Sequence, residues 1–250
     1  MDVTHVVLIG AAAVAAGAIN AIAGGGSLIT FPTLVACGVP AIVANMTNTV
    51  ALFPGYLSAT WAQRNQLAGQ RTRVLQLLPL SLAGSLAGAW ILMHTSARAF
   101  EEVVPFLLVF AAALLAVQGR VRRYLAGRTR GHHSLVLATL PVGIAAIYGA
   151  YFGAGLGVIL LAILGAVIDD TLIRANALKQ LLSLAINTCA AIVFVAFRPI
   201  DWPVVAVVAA GSLVGGVIGG MLASRIREAV LRWIAIAVSL AVAAVYFARL

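Results

Sequence analysis

Long hydrophobic blocks separated by short polar interruptions make up almost the whole chain. Apolar stretches long enough to cross a bilayer, about 20 residues each, recur at 3–38, 41–61, 74–93, 103–117, 135–168, 172–197, 204–223 and 229–247. Continuous apolar runs of this length read as helices in lipid or among other apolar helices. The pattern predicts an all-α integral membrane protein with almost nothing left for a soluble domain.

Two stretches interrupt themselves with glycine. NAIAGGGSLITFPTL carries Gly24, Gly25 and Gly26, and YFGAGLGVILLAILG carries Gly153, Gly155 and Gly157. The arm after the first break, 27–38, is about 18 Å long as a helix, too short for a hydrocarbon core of about 30 Å. Each broken stretch therefore reads as a re-entrant hairpin. Unpaired backbone at membrane depth survives only where protein or a wet cavity covers it, so both breaks point inward.

The chain also matches itself at an offset of 127 to 131 residues. AIAGGG pairs with YFGAGLG, GSLAGA with GSLVGG, and SARAFE with ASRIRE. These matches divide it into a first transmembrane repeat (1–118), a basic linker (119–134) and a second repeat (135–250). If each broken stretch crossed once, Arg225, Arg227 and Arg232 would fall outside. If each is a hairpin followed by three spanning helices, the second repeat is inverted and every basic cluster is cytoplasmic. Only Arg98, Arg198 and Arg249 then lie outside. The positive-inside bias favours the hairpins and two inverted repeats.

Composition agrees: 63% of the 250 residues are hydrophobic and 9% charged, with a mean hydropathy of +1.08. The net charge of +9 sits in short loops beside the spans, which indicates topology and not a nucleic-acid partner. Cys37 and Cys189 read as small core residues. The start, MDVTHVV, lacks the basic region of a secretory signal, so the first segment is expected to be retained.

Chemistry concentrates on the segments after the two breaks. Asn45, Thr47, Asn48, Thr49 and Tyr56 follow the first. Asn176, Lys179, Gln180, Ser183 and Asn187 follow the second at i, i+3, i+4, i+7 and i+11 of one helical face. An intramembrane lysine is costly and by default functional. Lys179 lies near enough to its helix end to snorkel instead, and both readings stay open. The glycine breaks likewise carry two readings: close packing at a bend, or helix N-termini whose free N–H groups receive an anion. The pairs Gly84/Gly88 and Gly211/Gly215 fit close helix packing, between repeats or in a homodimer.

Every Asp and Glu falls at a loop or helix end, which leaves no buried carboxylate to carry sodium or protons. The interior is neutral to positive, as a path for a small anion would be. No nucleophile–base pair, HExxH or phosphate loop is present, so no enzyme, cofactor or metal is expected.

At these motifs the chain resembles the TauE/SafE family of membrane transporters, the sulfite exporters. The likeness runs through AGGGSLITFPTL, GVPAIVANMTNTVALFPGYLSA, YFGAGLGVILLAILG, ANALKQLLSLAINTCAAIVF and RPIDWP. It implies export of a sulfur-containing anion such as sulfite or an organosulfonate. It places the functional positions on Gly24, Gly25, Gly26, Thr47 and Asn48, and on Gly153, Gly155, Gly157, Lys179 and Asn187. Two hydroxyl positions of the family pattern are Leu178 and Ile186 here. The expected site lies between the two glycine turns, faced by Asn45, Asn48, Thr49, Lys179, Ser183 and Asn187. A passive anion channel and a non-transporting scaffold are the alternatives.

Overall fold

The computed structural model describes residues 2–22, 25–126, 135–168, 170–222 and 228–248, and all the regular structure in them is helical. In chain order the helices are α1 (Val3–Ile22), α2 (Ser27–Ala36), α3 (Ala41–Ala51), α4 (Phe53–Ala62), α5 (Arg71–His94), α6 (Ala97–Ala126), α7 (Val136–Tyr151), α8 (Leu156–Val167), α9 (Leu172–Phe197), α10 (Trp202–Leu222) and α11 (Glu228–Phe247). A single 3-10 turn, Arg64–Leu67, links α4 to α5. Among the described residues, Val3–Asn20, Arg71–His94, Ala97–Leu125 and Leu172–Phe197 are long and apolar enough to span a membrane. α2, α7 and α8 are shorter apolar helices. The chain is a helical membrane protein.

Both glycine-containing stretches divide where the sequence places the breaks, into α1 with α2 and α7 with α8. The stretch 41–61, expected as one span, also divides, at Leu52. Pro54 in the first turn of α4 has no N–H to continue the helix. The amides of Gly55 and Tyr56 restart it on the Leu52 carbonyl. α9, which follows the second glycine break, has no proline and runs unbroken for 26 residues.

Glycines join the two halves of the chain. α1 packs along α10, and α7 along α5. Gly17 faces the Ser212 carbonyl and Gly215 the Val14 carbonyl, while Gly84 and Gly88 face the carbonyls of Gly143 and Ile147. A Cβ at any of these positions would overlap the facing oxygen, so the close approach requires glycine. The pairs noted in the sequence thus serve contacts within one chain. α6 packs on α11, α2 on α11 and α8 on α6, with α9 against α3, α4 and α5.

Polar contacts gather at two ends. At one, Asp170 accepts hydrogen bonds from Arg73 (2.6 Å) and Arg174 (2.8 Å). Gly165 at the end of α8 abuts Leu125 at the end of α6. At the other, Val35–Ala41 share a cleft with Arg98, Glu101, Glu102 and Tyr246, and the Arg198 guanidinium donates to the Met93 carbonyl. Between the ends, Phe31 of α2 meets Phe152 edge-to-face at 5.3 Å, which seats α2 against the second glycine turn.

Candidate functional site

The first turn leaves α1 after Ile22; residues 23 and 24, and so the expected Gly24, lie outside the described residues. Gly25 has φ +126°, a conformation open to glycine. A helix beginning at Ser27 needs partners for its first amides, and α1 supplies one. The Asn20 Oδ1 accepts the N–H groups of Gly25 (3.0 Å) and Gly26 (2.8 Å). Gly26 also packs against the Ala16 carbonyl, with no room for a side chain.

The second turn is built differently. Phe152 and Gly153 donate to the Tyr148 carbonyl (2.9 and 3.1 Å). Gly153 and Gly155 then take left-handed φ values of +79° and +80° to open α8. Tyr148 holds this turn by donating its hydroxyl to the Ala154 carbonyl. No side chain caps α8, and the amides of Ala154, Gly155 and Gly157 have no hydrogen-bond acceptor among the described residues.

Lys179 of α9 stands against Gly157. Its Nζ is 3.7 Å from the position a Cβ on Gly157 would occupy. The residue is 7% exposed, and among the described residues its ammonium has no hydrogen-bond or ion-pair partner. One turn further on, Ser183 is 1% exposed, and its Oγ has no partner either. Both line a cavity of about 350 Å³ that reaches the two glycine turns. α4 forms its opposite wall with Gly55, Tyr56, Ala59 and Gln63, and α10 contributes Ser212 and Leu213. No carboxylate lies among the described lining residues.

Of the residues expected at the site, Gly25, Gly153, Gly155, Gly157, Lys179 and Ser183 share this cavity. Gly26, Asn45, Thr47, Asn48, Thr49 and Asn187 are not on its walls; of these, Asn45 and Asn48 tie together the helices around it. Asn45 donates to the Tyr151 carbonyl at 2.8 Å, fixing α3 to the end of α7. Asn48 accepts from Thr30 of α2 at 2.5 Å, and Thr49 donates to the Asn45 carbonyl at 3.0 Å. Asn187 donates to the Ser183 carbonyl at 2.8 Å. Thr47 is fully buried with its hydroxyl unpartnered. Asn20, Tyr148 and Gln63 are additions that the sequence reading did not single out. The one available signal for Asn20 was a cap-forming residue type just ahead of a helix break.

Toward one end the cavity wall reaches Gln63, whose Oε1 accepts from Asn176 at 2.7 Å. Beyond it the buried Gln70 donates to the carbonyls of Gln66 (2.8 Å) and Arg174 (3.0 Å). Asp170 completes this cluster. Its partial burial pushes the carboxyl pKa up, but hydrogen bonds from Arg73, Arg174 and the Thr171 amide outweigh that and hold it at about 2. Among the described residues no group of three His, Cys, Asp or Glu could hold a metal.

Interrupted apolar helices around an internal cavity with a buried cation are the construction of a membrane transporter. The family model for the sulfite exporter TauE/SafE matches residues 9–246, and the chain belongs to that family. Three curated relatives share this character. The probable membrane transporter protein YfcA of Escherichia coli is 25% identical over 204 residues, covering 81% of this chain and 75% of its own. A probable membrane transporter protein of Haemophilus influenzae is 26% identical over 197 residues, 79% of this chain and 76% of its own. The probable membrane transporter protein ORF9 of a Sinorhizobium species is 25% identical over 235 residues, 93% and 88% respectively. No solved structure gives a significant match.

Proposed function

We propose that the protein exports a small sulfur-containing anion, sulfite or an organosulfonate, across the bacterial inner membrane by alternating access around the cavity. The observation that carries this reading is Lys179, a buried ammonium that stands against Gly157 in the same cavity as Ser183; among the described residues neither the ammonium, the Ser183 hydroxyl nor the Gly157 amide has a partner. An anion would neutralise the charge and occupy the donors together. With no carboxylate among the described lining residues, the site has nothing to repel it.

In this reading the chain forms two inverted repeats, each a re-entrant hairpin and three spanning helices. Three features support it. Gly26 returns beside Ala16, well before the end of α1. The end of α2 joins the cleft with Arg98, whereas the end of α8 lies by the Arg73–Asp170–Arg174 cluster. The pairs α1 with α10 and α7 with α5 exchange the two halves symmetrically. With the arginine-rich end in the cytoplasm, an inside-negative potential drives a monovalent anion outward by about 2.3 kcal/mol per 100 mV. No coupling ion is then required.

Flux of sulfite, sulfate and small sulfonates into liposomes containing purified protein tests this reading. Saturable sulfite or sulfonate flux supports it. Flux that never saturates indicates a passive channel, and no flux indicates a scaffold; either result would overturn it.

A further inference from the structure

We propose that Asn20 determines substrate specificity by presenting its side-chain NH2 to an oxygen of the bound anion. This rests on the transport reading above and assigns a residue to the same cavity.

The orientation of the Asn20 amide follows from its partners. Its Oδ1 accepts two backbone N–H groups, from Gly25 and Gly26. The flipped amide would set an NH2 donor against two donors, so the flip is excluded by chemistry. Nδ2 is thereby the amide atom left free of the turn. It has no acceptor among the described residues, and Asn20 lines the cavity with Lys179 and Gly157.

A donor locked in place selects an acceptor. An oxyanion carries several acceptor oxygens and can use one on the Lys179 ammonium and Gly157 amide and another on Asn20. The amide also relays the positive end of α2 into the cavity, because the N–H groups it caps belong to the start of that helix. The first glycine turn therefore contributes to the site through a side chain, while the second contributes its backbone.

Methanesulfonate flux into liposomes tests the assignment with Asn20→Ser, Asn20→Asp and Lys179→Gln. In N20S the hydroxyl keeps an acceptor near the turn without adding charge but is too short to bring a donor into the cavity. In N20D the carboxylate takes both amides and offers the anion only repulsion. Loss of a hydrogen bond to a charged group is expected to raise the KM of N20S about tenfold. Its maximal rate should fall far less, and its melting temperature should stay close to wild type. For N20D the KM rises further. A purely structural role would lower the melting temperature and the amount of active protein while leaving KM unchanged. Should N20S fail to fold, an unchanged KM in N20D still overturns the role, because its cap is complete. A KM within twofold of wild type in the folded variant overturns the role of Asn20. If K179Q still raises KM, the transport reading survives that result. If wild type shows no saturable anion flux, both fall.

Discussion

The two glycine turns occupy matching places in the two halves of the chain, yet they solve the same backbone problem in opposite ways. At the first, Asn20 is an acceptor and takes up the amides of Gly25 and Gly26. At the second, Tyr148 is a donor and binds the Ala154 carbonyl, and the amides of Ala154, Gly155 and Gly157 have no partner among the described residues. The cation stands on the second side, where α9 carries Lys179. One turn is closed by its own helix and the other leaves its amides unpartnered among the described residues. The matching sequences carry different chemistry, and the proposed anion site uses that difference.

The same difference assigns different work to the glycines, and substitutions can separate them. The largest effect is expected for Gly26→Ala, whose Cβ would run into the Ala16 carbonyl. Overpacking at that point should cost about 3 kcal/mol, seen as a lower melting temperature and a poor yield of folded protein. Gly157→Ala is the opposite case. Its nearest neighbours would be Lys179 side-chain atoms at 3.7 Å, an ordinary contact. The fold should survive while the methyl shields the free amide, weakening sulfonate affinity about tenfold, the loss of one charge-assisted hydrogen bond. Equal loss of stability in both variants would erase the distinction between the turns.

Tyr148→Phe probes the donor that holds the second turn. Removing the hydroxyl leaves the Ala154 carbonyl without that bond and should lower stability by about 1 kcal/mol, measured by thermal unfolding in detergent. The smallest effect lies outside the turns, in the Arg73–Asp170–Arg174 cluster. The folded-state pKa of Asp170 is depressed to about 2 from an ordinary 3.8. Its contribution is therefore fully present above the unfolded value and is lost as pH falls toward the folded one. Wild type should melt above Asp170→Asn at pH 5, and the gap should close between about pH 4 and pH 2. A gap that widened on acidification would contradict the ion pairing.

Much of this arrangement is legible in the residue pattern. The glycine breaks are visible because an apolar stretch of 36 residues, 3–38, exceeds one crossing. Lys179 and Ser183 stand out because a polar stripe at helical spacing cannot face lipid. Other parts escaped for physical reasons. Asn45 and Asn48 share the stripes but find partners on neighbouring helices, while Asn187 turns back onto the Ser183 carbonyl of its own helix, and helical spacing alone does not say which polar groups are satisfied in this way. The break at Leu52 turns on Pro54, and prolines are otherwise accommodated inside α2, α5, α6 and α7. The glycine pairs could have joined two chains or two repeats, because close approach has the same signature in both. The Asn20 cap depends on a contact with amides five and six residues further on, which no spacing rule encodes.

The central claim is that an anion belongs against Lys179 at the open turn. Equilibrium binding of a small sulfonate to purified wild type and Lys179→Gln, with thermal unfolding of both, tests it most directly. The account predicts at least a tenfold loss of affinity in K179Q, as for a hydrogen bond to a charged group, with no fall in melting temperature, because the substitution removes a buried unpaired charge. Unchanged affinity in a folded K179Q protein would contradict it.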